Sequence, residues 1–174
     1  MDPINAYLAG ALTVVGMIFM LWFVFKSKLG NLFFIKNESH YSFKETVKMI
    51  RQAIESQNQW TMLQDKDFNE AYQEKGKKNL PVYLHEFKLG NPEHSYRVNS
   101  QDASVSVFMP ASVAVIGYGD GRVEIIRKNT AFMGEMFPGE VGRIMRKEVP
   151  SGLDNLLCGI KVDKSECKSC DIEL

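Results

Sequence analysis

The hydrophobic pattern divides the chain in two. Residues 6–25, AYLAGALTVVGMIFMLWFVF, run for twenty positions without a charge and have no polar face. A helix rises about 1.5 Å per residue, so this run predicts a helix matched to the ~30 Å hydrocarbon core of a bilayer. Beyond it, short apolar clusters alternate with polar stretches, the pattern of a folded domain rather than of a second span.

Within that second part the periodicity predicts individual elements. Leu32-Phe33-Phe34-Ile35 either opens a sheet or continues the first helix. Ser42-Phe43-Lys44-Glu45 has the form of a capping box, and Phe43, Val47, Ile50 and Ile54 recur at helical spacing behind it, which predicts a helix through Ser56. Trp60 to Leu63 reads as a strand, Phe68 to Tyr72 as a short helix and Val82 to Phe87 as another strand. Gly90-Asn91-Pro92 turns the chain into a helical piece near residues 94–98. Two strands rich in Val and Ile, Ser112 to Ile116 and Arg122 to Ile126, are joined by the hairpin residues Gly119-Asp120-Gly121. Gly139 to Val149 places Val141, Ile144, Met145 and Val149 on one helical face. Pro150 then interrupts the pattern and opens a short helix bearing Leu153, Leu156 and Leu157. Helices and strands alternate without the regular rhythm of a doubly wound sheet. The predicted class is α+β: one N-terminal transmembrane helix, then a compact two-layer α/β sandwich with a mostly antiparallel sheet. The boundaries are 1–28 for the anchor, 29–160 for the soluble domain and 161–174 for a flexible tail.

The flanks of the apolar run argue for an uncleaved anchor. MDPIN ahead of it carries no Lys or Arg, and bulky Trp22, Phe23 and Phe25 stand where a signal peptide would place small residues. Leu8, Val14, Met17, Leu21 and Trp22 are its expected lipid contacts. Lys26, Lys28, Lys36 and Lys44 follow the run and nothing basic precedes it, so the soluble part is expected on the cytoplasmic side of a single-pass topology.

Charge and candidate chemistry narrow the function. The chain holds 21 basic and 21 acidic residues, a balance that argues against nucleic acid as a partner. Cys158, Cys167 and Cys170 make an odd count, so no stapled disulfide framework is expected. Cys167-Lys168-Ser169-Cys170 is a CxxC, and with Cys158, His85 and His94 it supplies the candidate ligands for a metal ion or an iron–sulfur contact. A closed tetrahedral site needs four ligands, so a histidine must complete three cysteines. The opposite reading is a polar tail of reduced thiols with no cofactor. Gly117 to Gly121 spells GxGxG, but a strand follows it, so the turn reading outweighs a phosphate loop.

The helix SFKETVKMIRQAIES, a Trp-led strand, GNPEHSY, FMP and the VAVIGYGDGRVEI hairpin follow one another in this order. In order and spacing they resemble the family known as domain of unknown function 302, over residues 32–160. The resemblance implies a compact α+β domain that pairs as a homodimer, and it implies no reaction. Many members of that family carry cysteine directly before the Asn-Pro and directly after the proline matching Pro110. Here those positions hold Gly90 and Ala111.

Two functions are therefore expected to compete. One is a non-enzymatic accessory subunit of a membrane protein assembly, with Phe132, Met133, Met136 and Phe137 turned towards a partner. The other is a small-molecule or metal-binding sensor or redox module, with His85, His94 and Tyr96 in a cleft and the tail cysteines as ligands. No nucleophile with a matching base is legible.

Overall fold

A computed structural model describes residues 3–162; within them, side chains are described except for 3–11, 24, 25 and 27–29. The chain forms two compact units, 1–33 and 34–174. The first contains helix α1, Pro3–Phe33. Val14, Met17, Leu21 and Trp22 are each more than half exposed, and Lys26 lies over the Trp22 ring at 5.0 Å. Leu8 falls outside the described side chains. Among the described residues no helix is long and apolar enough to cross a membrane. The anchor therefore remains an expectation.

In the second unit, five strands form one wholly antiparallel sheet in the order β1-β5-β4-β3-β2. They are β1 (Phe34–Glu38), β2 (Thr61–Asp67), β3 (Tyr83–Gly90), β4 (Ala111–Gly117) and β5 (Val123–Lys128). Strict alternation in the inner strands buries Phe87, Leu89, Val113, Val115, Val123 and Ile125 on one face. Against that face lies α2 (Phe43–Ser56), which contributes Val47, Ile50 and Ile54. Glu45 closes its first turn by accepting from the Ser42 backbone N–H at 3.1 Å and from its hydroxyl at 2.6 Å. On the opposite face Leu84, Glu86, Lys88, Ala114, Ile116 and Ile126 are half-buried. The β4–β5 turn is the predicted hairpin, with Gly121 at φ +90°, a conformation that favours glycine.

Four local features depart from the pattern reading. β2 continues to Asp67 and bulges at Leu63, so Met62 and Asp65 lie opposite Leu89 and Phe87. A short 3-10 segment, Ala103–Phe108, follows α4 (Pro92–Gln101) and has no periodic signal. Pro150 does not interrupt its helix. Residues 139–156 run through α6 (Gly139–Arg143), a π-helical segment (Ile144–Glu148) and α7 (Val149–Leu156). The Val149 N–H reaches back to Ile144 O, one residue further than in an α-helix, which admits a proline that lacks its own N–H. Finally, Met133 of α5 (Thr130–Gly134) is buried, so it cannot face a partner.

Candidate functional site

The site grows from the turn that ends β3. Asn91 caps α4 (Pro92–Gln101) by accepting the His94 backbone N–H at 3.0 Å, and Pro92 occupies the first turn, where its missing N–H costs nothing. This fixes His94 in the first turn of α4. Its Nε2 lies 3.3 Å from a Glu148 carboxylate oxygen on the π segment. Arg97 holds Glu148 at 2.9 Å and Glu140 at 2.7 Å, while Arg143 reaches Glu148 at 2.6 Å. The Arg97 guanidinium keeps the Glu148 carboxyl below the usual carboxylate range, and burial pushes the His94 imidazole down. At neutral pH the pair is thus a carboxylate beside a neutral ring.

The other ring nitrogen of His94, Nδ1, is buried and bonds to no described residue. The same holds for Trp60 Nε1 and Thr130 Oγ1. All three side chains line one cavity of about 250 Å3. Its other walls are almost wholly apolar: Leu89 from β3, Val98 from α4, Val105 and Phe108 from the 3-10 segment, and Ile144, Met145 and Val149 from the long helix. Trp60 meets His94 edge-on, with ring centroids 6.3 Å apart. Lys128 Nζ donates to the carbonyls of Phe108 and Pro110 at 2.8 Å each, which ties the Met109-Pro110 wall to β5. Buried polar atoms without partners are rare in native proteins, and three around one apolar cavity make it a candidate binding site.

The family model for DUF302, domain of unknown function, matches residues 35–157. This chain belongs to the DUF302 family. A crystal structure of an uncharacterized conserved DUF302 protein from Bacillus stearothermophilus is similar, with a TM-score of 0.61 and 18% identity, covering 72% of this chain and 95% of that one. At that identity the likeness is one of fold. No curated protein matches the chain. The two DUF302 positions at which the resemblance implies cysteine, Gly90 and Ala111, both line the cavity described above.

The DUF302 domain separates the predicted ligands instead of gathering them. His85 is the third residue of β3, whereas His94 stands beyond the other end of that strand. His85 Nε2 pairs with Asp65, which Arg51 also grips through two nitrogens, and Arg51 and His85 border a separate groove of about 970 Å3. Arg51 first, and His85 to a lesser degree, keep the Asp65 carboxyl low. Tyr96 is 74% exposed and does not line the cavity with His94. Cys158 is half-buried, and Cys167 and Cys170 lie outside the described residues. Among the described residues no group of three or more His, Cys, Asp or Glu could hold a metal ion. Of the four partner-facing candidates, Met136 is exposed, Phe132 is half-buried, and Phe137 packs edge-on against Phe108 at 5.7 Å.

Sequence reasoning picked out His94 but not its companions. Glu148 is 54 positions away from it in the numbering, Thr130 reads as an ordinary helix start, and Trp60 reads as strand core. Only the Glu148 side had a signal: Arg97 three residues after His94 lies on the same helical face and calls for an acid.

Proposed function

We propose that this DUF302 domain is a small-molecule-binding module held at a membrane by residues 6–25. The observation that carries the binding half is an apolar cavity whose lining includes Trp60, His94 and Thr130, each with one buried polar atom that has no described partner. Its volume suits a compact ligand, since about 150 Å3 is enough for benzene. No step of chemistry is needed: the reading is one of binding, as a sensor or carrier. The test is thermal unfolding of the full chain in mild detergent against a panel of neutral ring compounds of benzene to naphthalene size. Binding raises the Tm of the native protein, and Ala111→Leu, which fills the cavity from β4, removes the rise. A panel without any stabilising compound at millimolar concentration overturns the proposal.

The membrane half rests on the charge-free run and on the bare apolar side chains along α1, which favour lipid over water. Alkaline carbonate should leave the full chain in the membrane pellet, and Val14→Arg with Leu21→Arg should release it. The lysine flank sets our orientation, with the domain cytoplasmic. Thiol labelling tests this orientation: a reduced Cys158 in freshly lysed, alkylated cells fits the lysines, and an oxidised one moves the domain outside.

A partner protein is the second reading. It is favoured by exposed Met136 beside half-buried Phe132 and Phe137. A photo-crosslinker at Met136 that captures no protein in native membranes removes it.

A further inference from the structure

Two exposed side chains mark the mouth of the cavity. Of the residues that line it, Leu63 and Phe108 are the exposed ones, at 60% and 38%, while Leu89, Val98 and Ile144 are buried. A side chain that borders both the cavity and solvent stands at the opening. The two are held differently. The Phe108 ring packs edge-on against Phe137 at 5.7 Å, and its carbonyl accepts from Lys128 Nζ at 2.8 Å. Leu63 is freer, because the bulge in β2 leaves it without an opposite residue on β3: Met62 pairs with Leu89 and Gln64 with Lys88. Its side chain lies over Gly90 instead. A Cβ built at Gly90 would come within 3.1 Å of Leu63 Cδ1, closer than ordinary carbon contact.

We infer that Leu63 is the specificity-determining residue of the cavity: lying over Gly90, it limits the ligand to a compact apolar ring and turns away the same ring carrying an alkyl arm. This step rests on the binding reading above. Apolar walls favour every methylene that leaves water, so an arm would add affinity wherever it had room. An arm that leaves between Leu63 and Phe108 must push the leucine off Gly90. That returns leucine surface to water and offsets what the arm buries. Glycine at position 90 lets the leucine lie this close, and the bulge aims it there.

Benzene, propylbenzene and hexylbenzene test this on the full-length native protein and two variants, all in one mild detergent. Affinity is read from the rise in Tm over a concentration series, and each compound is compared only between proteins, so its loss to micelles cancels. Leu63→Ala should bind hexylbenzene about tenfold more tightly than the native protein does, between the worth of one buried methylene and of two at about fourfold each. Benzene should change by less than about twofold, since the ring does not reach the leucine. Leu63→Phe should weaken hexylbenzene and again leave benzene nearly unchanged. Both variants should fold, because position 63 is exposed. A leucine with a purely structural role would alter all three compounds alike. The same change for benzene and hexylbenzene, or no change in either variant, overturns this inference and leaves the binding reading standing. If none of the three compounds stabilises the native protein or Leu63→Ala at millimolar concentration, the binding reading falls and this inference with it.

Discussion

His85 and His94 occupy matching constellations at opposite ends of the same sheet. Each ring nitrogen Nε2 faces a carboxylate, and each carboxylate is held by an arginine: Asp65 by Arg51, Glu148 by Arg97. Pattern alone makes them equivalent. What differs is the surroundings of the trio. His85 packs against Phe87 at 4.8 Å beside an open, polar groove. His94 instead lines an apolar cavity, and its Nδ1 is buried without a described partner. A histidine–carboxylate–arginine trio is therefore a brace or a binding element according to what its second nitrogen meets, and the three residues themselves do not decide which.

The comparison assumes that both ends hang on one core, and the largest expected effect tests that assumption. Ile50 is fully buried among α2, the sheet and α7. Ile50→Ala should cost about 2–5 kcal/mol in chemical unfolding, whereas exposed Lys48→Ala should cost under about 0.5 kcal/mol. Similar costs for both would mean that α2 is not laid on the sheet, and the two ends could no longer be compared on a shared scaffold.

Next in size is a change confined to one end. Asn91 caps α4 and is itself buried, so Asn91→Ala should cost about 0.5–2 kcal/mol. It frees the turn that carries His94, so small-molecule stabilisation should weaken with it. Asp67→Ala removes the corresponding cap of α3 (Phe68–Glu74), near His85, and should leave that stabilisation unchanged. Loss of stabilisation from both caps would erase the distinction between the ends.

The fold was legible in the sequence because its signals are local. The Ser42 capping box, the 3.6-residue period of α2 and the Gly119-Asp120-Gly121 hairpin each fix an element within a few residues, and the family motifs fix their order. The site was not legible, because its members meet only in three dimensions. Trp60, His94, Thr130 and Glu148 come from four separate stretches of chain. His85 and His94 looked like neighbours because nine positions of sequence part them. A strand carries its residues away at about 3.3 Å per step, so those positions became the length of β3. The π segment was equally hidden, since Pro150 is a helix breaker in every local rule and only the long-range packing of Leu153 and Leu156 holds the helix together through it.

Acid should separate the ends by pH window. Burial lowers the His94 pKa on folding from its ordinary 6.5. Above 6.5 its contribution to stability is fully present. As the pH falls below that value the unfolded chain takes up the proton first, and stability declines until the folded ring is protonated too. Asp65 and Glu148 are also lowered, from 3.8 and 4.5, so their contributions persist until the pH drops below those values. Tm measured against pH should thus show a first decline starting near 6.5 that is absent in His94→Leu, and a second below about 4.5 that survives it. A single decline, unchanged by the substitution, would show that His94 titrates as if in water.

The smallest effect belongs to Arg51. Its guanidinium binds Asp65 through two nitrogens and lies 5.9 Å from the Phe87 ring, yet its side chain is 38% exposed. Water and salt screen a pair of that kind, and exposed ion pairs are worth about 0.2–1 kcal/mol. Arg51→Met keeps the aliphatic stem over Phe87 and removes the charge. It should cost no more than about 1 kcal/mol, the cost should shrink in high salt, and ligand stabilisation at the other end of β3 should not change. Because Asp65 remains beside His85, the substitution also asks whether the arginine is needed to keep that histidine in place. If it is, histidine resonances at both ends will shift, the two trios are coupled through β3, and the contrast between a brace and a binding element gives way to one connected network.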